Sequence, residues 1–415
     1  MSNQGTRTIR GLFLSAGLLG SLIWANPVSA FVQEITAMFR PDPSNPNQDR
    51  FTNTTPVTGF CASYPGYCIN VFSIRLPITA ASSGALPAKP SDPRQSALWK
   101  VPAQWRQLSV IDSSGEEATV EVRINAIGSK YVLDRSAAEL VGGGVSALQA
   151  HGMLWGGNWL YPPSPCKGIG LASYGSYYFS FVWRTPEEAN CVKLAQYEIP
   201  KMAYEYLEIG YELRTPNPLA MSAGTYTGVL NYGIGPNQDF DLGDMMLPSD
   251  SALTLNFTLT VEHILKVELP PGGNRVELLP EGGWQAWLNR GRQPARLFRD
   301  QTFRIAASGR FKMNLECSLA IGNTCGLRNG AGDEVPLKVA VSLPFGLNDQ
   351  YGQTVNKLPL RLDGVGTELF QAVHYVNNRP GTLHFEVERE QVGDMLKQPG
   401  TTYSGVVTVV WDSEV

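Results

Sequence analysis

Charge is scarce in this 415-residue chain: Asp, Glu, Lys and Arg make up 17% of it, and the formal net charge is −4. No basic cluster stands out, which excludes nucleic acid and an anionic membrane surface as expected partners. Histidine is rarer still. Its four copies, His151, His263, His374 and His384, are scattered, so no H-E-x-x-H or H-x-x-x-H spacing arises, and neither G-x-S-x-G nor a phosphate-binding loop is present. Glu187 and Glu188 are adjacent, which provides no acid/base pair held apart on two sides of a bond. The longest apolar run, Gly11 to Trp24, is about 14 residues, short of the roughly 20 that cross a bilayer. No cofactor and no metal is therefore expected, and catalysis has no local motif to support it.

What is present begins with that apolar run. Arg7 and Arg10 precede it and Val28-Ser29-Ala30 follows, the pattern of an export leader over residues 1–30 cleaved before Phe31. Without Arg7 and Arg10 the chain has 31 basic and 37 acidic residues, a charge of −6. Six cysteines in an exported chain read as disulfides. They lie as Cys61/Cys68, Cys166/Cys191 and Cys317/Cys325, and local pairing is expected among the fifteen connectivities that six cysteines allow.

The length suggests two to three domains. Short alternating segments, 42 glycines, 29 prolines and few helical patterns point to antiparallel β-sandwiches. Thr119 to Ile127 alternates, with Val120, Val122 and Ile124 inward. Ala252 to Val261 alternates without a break, with Leu253, Leu255, Phe257, Leu259 and Val261 on one face. Phe31 to Phe39 is a further candidate strand. Residues 134–149 hold the best short helical pattern, with Asp134 as its expected cap and Gly142-Gly143-Gly144 interrupting it. Asn237, Asp239, Asp241 and Asp244 form an acidic loop, read as a solvated turn rather than a calcium site.

Two stretches share wording. Gly224-Thr-Tyr226-Thr-Gly228-Val-Leu230 is followed by the strand Ala252 to Val261; Gly400-Thr-Thr-Tyr403-Ser-Gly405-Val-Val407-Thr-Val409-Val-Trp411 is followed only by four residues. Val407, Val409 and Trp411 share one face. The pattern is that of two related sandwiches, the second one strand short, and an unpaired edge of this kind recruits a strand from elsewhere.

On these features, together with Phe303-Arg-Ile-Ala-Ala-Ser and the Cys317/Cys325 pair, the chain resembles the two-domain tip adhesins of bacterial chaperone–usher pili. The resemblance implies an all-β protein of two immunoglobulin-like β-sandwich domains, the second incomplete and completed by a donated strand. It implies an N-terminal receptor-binding domain over 31–262, a linker over 263–271 and a C-terminal pilin domain over 272–415. Its implied partners are a periplasmic pilus chaperone, an outer-membrane usher, the next pilin subunit, and a host glycan or protein receptor. Its implied location is the fimbrium tip, reached by export through the periplasm. Tyr403, Val407, Val409 and Trp411 would form the acceptor edge.

A receptor site is sought in the aromatic block His151 to Trp183. Tyr177, Phe179, Phe181 and Trp183 have strand spacing and are read as interior. Trp155, Asn158, Trp159 and Tyr161 lie outside that alternation in a glycine-rich stretch and are the candidate ligand-binding residues, since sugar rings stack on aromatic faces. Two rival readings are an adaptor subunit without a receptor and a secreted polysaccharide-active enzyme.

Overall fold

The computed structural model describes residues 30–291 and 293–413. The expected leader, except Ala30, lies outside the described residues, as do Arg292 and the last two residues. The chain is an all-β protein whose strands form two separately cored units, one built from residues 30–261 and the other from 265–413.

The first unit is organised around one 17-residue strand, Glu117–Leu133. Its length lets each edge serve two partners. Residues 117–122 pair with Arg106–Ile111 and residues 126–132 with Tyr178–Arg184 on one edge. Leu207–Arg214 and Met202–Tyr204 pair along the other. Beyond Arg106–Ile111 the sheet continues through Gly224–Gly233 to Ala252–Val261 and then Ala30–Phe39. Ala252–Val261 buries every second residue, with Leu253, Leu255, Phe257, Leu259 and Val261 all inward.

Ala30–Phe39 runs parallel to Ala252–Val261 from Ala30↔Ala252 to Phe39↔Val261. Ile35, Ala37 and Phe39 enter the core, so the first strand belongs to the same sandwich as its last. Three disulfides join Cys61 to Cys68, Cys166 to Cys191 and Cys317 to Cys325, as local pairing requires.

The helical stretch differs from expectation. Two short helices, Ala137–Leu140 and Ala147–Trp155, replace one, and each starts at a serine rather than at Asp134. Ser136 and Glu139, and Ser146 and Gln149, form reciprocal capping boxes that satisfy the first free N–H groups. Gly142, Gly143 and Gly144 all take positive φ between them, which a side chain would resist.

The second unit packs two sheets on one core. One contains Leu265–Glu268, Arg296–Ala307, Val376–Glu388, Glu334–Ser342, Thr324–Arg328 and Ala320–Ile321 in that order. The other runs Leu347–Asp349, Phe370–Ala372, Arg310–Cys317, Val407–Ser413. Residues 265–268, assigned to a linker by sequence, are a strand paired with 304–307.

Candidate functional site

Val407–Ser413 is rich in β-branched residues and includes the aromatic Trp411, a composition that suits a pleated, half-buried surface. It pairs antiparallel with Arg310–Cys317 in the register Cys317↔Val407, Leu315↔Val409, Met313↔Trp411, Phe311↔Ser413. Leu315, Met313 and Phe311 are buried, so Val407, Val409 and Trp411 face the core with them. The Trp411 ring lies 5.0 Å from that of Phe303 and 5.9 Å from that of Phe311. On the outer face Lys312 and Asp412 form an ion pair at 3.1 Å.

The approach to this strand is fixed. Ser404 and Arg328 exchange two backbone hydrogen bonds of 3.0 Å, and Val406 N donates to Ser318 Oγ at 3.0 Å. A Cβ at Gly405 would stand 2.6 Å from the carbonyl oxygen of Gly326, so this position requires glycine. Its counterpart Gly228 is held for the same reason, with a Cβ reaching 2.4 Å from the Ser109 carbonyl.

The edge opposite Arg310–Cys317 is open: among the described residues, no strand pairs with it. The equivalent strand of the first unit, Gly224–Gly233, lies between Arg106–Ile111 and Ala252–Val261, ten residue pairs joining it to the latter. Phe257, itself buried, stands opposite Gly228 in the register. Burial follows this difference. Tyr226 and Tyr232 are fully enclosed, and Tyr226 donates its hydroxyl to Ser222 O at 3.2 Å. Tyr403, Val407, Val409 and Trp411 are only half-buried, although they pack on the core.

The four candidate ligand-binding residues are not brought together on one exposed surface. Trp155 and Trp159 are core residues, 2% and 0% exposed. Trp155 ends a helix and donates its indole N–H to Tyr131 Oη at 3.1 Å; Trp159 stacks on Trp183 with ring centroids 5.0 Å apart. Neither presents a face to a ligand. Asn158 accepts from Leu160 N at 3.1 Å in its own turn, and Tyr161 alone is well exposed, at 69%. Phe179, Phe181 and Trp183 are interior as their spacing indicates, but Tyr177 is exposed in the turn before its strand.

The acidic loop is tied up internally. Asp241 accepts from both terminal nitrogens of Arg94 and from Asn237 N and Gly243 N, Asp244 pairs with Arg94, and Asp239 pairs with Arg106. No group of three potential metal ligands occurs among the described residues.

One site had no sequence signal beyond the position of a histidine. His263 bridges the two units: Nε2–H donates to Met221 O at 2.8 Å, which leaves Nδ1 to accept from Ser308 Oγ at 3.2 Å. Arg310 reaches back to donate to Ala220 O at 2.5 Å. Burial holds His263 below the ordinary histidine pKa; the Met221 hydrogen bond opposes this and the Arg310 charge reinforces it. His384, by contrast, is satisfied by Asp300 and Ser342 at 2.7 and 2.8 Å.

No family model matches the chain. No curated protein matches it. Among solved structures, it is similar to a chain from a chaperone–tip adhesin complex of CFA/I fimbriae biogenesis, at 10% identity and a TM-score of 0.24, covering 93% of this chain and 97% of that one. It is also similar to a chain of the CsuC–CsuE chaperone–tip adhesion subunit pre-assembly complex from the archaic chaperone–usher Csu pili of Acinetobacter baumannii, at 10% identity and a TM-score of 0.21, covering 93% and 98%. At TM-scores this low, neither likeness carries an argument about function.

Proposed function

We propose that the chain is a non-enzymatic tip adhesin of a chaperone–usher pilus, held in the fibre by a strand donated to its second unit. The observation that carries this reading is the contrast between the two copies of one strand, Gly224–Gly233 with neighbours on both edges and Val407–Ser413 with a neighbour on one. An exposed ladder above an apolar groove is a template for strand addition, in which main-chain bonds give affinity and alternate side chains give register.

The first unit supplies a template for the donor. Placing Tyr403 on Tyr226 and Gly405 on Gly228, the donated strand runs antiparallel to Val407–Ser413. Its apolar residues alternate, with a bulky one opposite Gly405 as Phe257 stands opposite Gly228. A periplasmic chaperone and then the next subunit would supply that strand in turn, at an outer-membrane usher, with the first unit displayed at the fimbrium tip. Ala30–Phe39 is not free to be donated, being built into the first unit's own core through Ile35, Ala37 and Phe39. Receptor binding falls to residues 31–262, with Tyr161 the one exposed aromatic of the original candidate set.

The test is complementation. Residues 264–415 produced alone should aggregate or unfold, and a donor segment fused after Val415 should return them to a folded monomer by light scattering and circular dichroism. A stable, monomeric unfused second unit would overturn the mechanism. Turnover of a polysaccharide by the full chain would overturn the non-enzymatic part.

A further inference from the structure

Where the open edge ends, a cavity begins. It holds about 240 Å³ and is lined by Ala223 of the first unit, His263 and Ile264 at the junction, and Arg310, Phe311 and Ser413 of the second. Ser413 is the end of the acceptor strand, and Phe311 is its partner in the register. Leu265, which also lines it, begins the edge strand of the facing sheet, so the cavity lies between the two sheet edges where they meet the first unit. Pockets for drug-sized molecules start at about 300 Å³, so this one suits a residue or two of polypeptide.

The direction of the missing strand follows from the first unit. There, Ala252, the first residue of the closing strand, pairs with Gly233, and Val261, its last, pairs with Gly224. Transferred by way of Tyr403 and Gly405, this places the counterpart of Ala252 opposite Val410 and puts the donor's leading end toward Ser413. Residues preceding that point run past Ser413 and meet His263 and Arg310. Among the described lining residues Arg310 brings a guanidinium and none brings a carboxylate, so the pocket favours an acidic or neutral leading residue over a basic one.

We infer that the junction cavity receives the leading residues of the donated strand, so that strand addition also clamps the first unit to the second. The inference rests on the strand-acceptor reading above and adds to it a second consequence. An empty groove leaves the two units joined by the His263–Met221, Arg310–Ala220 and Tyr375–Pro46 bonds. A filled one adds a peptide that touches both units.

The experiment uses the chain from Phe31 onward and N-acetylated peptides copied from its own closing strand. The short peptide carries residues 252–261 and stops opposite Val410. The long one carries residues 248–261 and passes Ser413, and a third is the long peptide with Ser249→Lys. Affinity is read by titration calorimetry, and the junction by hydrogen exchange at residues 220–223 and 263–265. The long peptide should bind about tenfold tighter than the short one and slow exchange at both junction segments, with both gains reduced by the lysine. Ala223→Leu, which fills the cavity from the first unit, should remove the long peptide's advantage and leave the short peptide's binding unchanged. Arg310→Met should weaken the discrimination between the serine and lysine peptides. If neither peptide binds, the strand-acceptor reading itself fails. If both bind equally and junction exchange stays the same, strand addition stands and the clamp is overturned.

Discussion

Gly224–Gly233 and Val407–Ser413 share their wording and differ in their company. The first has Arg106–Ile111 on one edge and Ala252–Val261 on the other, and its inward tyrosines are sealed. The second has Arg310–Cys317 on one edge only, and even Trp411, in contact with the rings of Phe303 and Phe311, stays half-buried. Alternation decides which face of a strand turns inward. Flanking strands decide how far that face is removed from water, and so how much the burial contributes.

Substitutions can separate these two effects. The largest change is expected where the flanking strand is present: Phe257→Ala should destabilise the first unit by about 3–5 kcal/mol, as for other buried phenylalanines. Native-state hydrogen exchange on the full chain, which reports each unit separately, measures it. A loss under about 1 kcal/mol would mean that the flanking strand contributes little through Phe257. Gly228→Val and Gly405→Val should each cost about 1–3 kcal/mol through overpacking, because both would drive a side chain into a neighbouring carbonyl. Equal losses would support treating the two strands as structural copies; a neutral Gly405→Val would end that equivalence.

Val409→Ala removes a side chain with one open flank, so in the free chain it should cost about 1 kcal/mol or less. The cost should grow once a donor strand covers the edge, and urea titration with and without the fused donor reads the difference. The smallest effect is the junction's response to acid. The unfolded chain takes up the His263 proton near pH 6.5, whereas in the folded chain burial lowers the pKa. The unfolded state thus binds more protons in that window. Stability is full above it and falls as pH drops through about 6.5 toward the folded value. His151, buried against Tyr131 and Gly175, acts in the same sense from within the first unit. His263→Gln should flatten the acid dependence of exchange at residues 220–223 and leave that of the His151 surroundings unchanged. An unaltered profile at both places would remove His263 from the account.

Much of this architecture was legible because period-two alternation survives in the sequence. Leu253 to Val261 are inward as read, as are Val120, Val122 and Ile124, and the inward face of the last strand holds. The strand takes up only the later part of the stretch from Gly400, since Ser404 to Val406 bond to Arg328 and Ser318 instead of joining the ladder. Trp155 and Trp159 misled because their block mixes a helix end, a glycine turn and a strand, and no single period marks their inward side. The capping boxes Ser136-x-x-Glu139 and Ser146-x-x-Gln149 were readable and would have placed Trp155 on a helix. Strand order was not readable. Nothing local to Phe31–Phe39 says that it lies parallel to a segment more than two hundred residues away. Nor does anything near His263 say that its ring meets Met221 and Ser308.

The parallel pairing of Ala30–Phe39 with Ala252–Val261 also has a mechanical meaning. The covalent path from the second unit enters the first at Val261, the last residue of a strand bonded along both edges. A pull transmitted through the junction draws that strand along its own axis. Ten residue pairs on one side and ten on the other are then loaded in shear together, instead of opening one at a time from an end. The same strand that completes the sandwich is thereby the element through which the first unit resists tension.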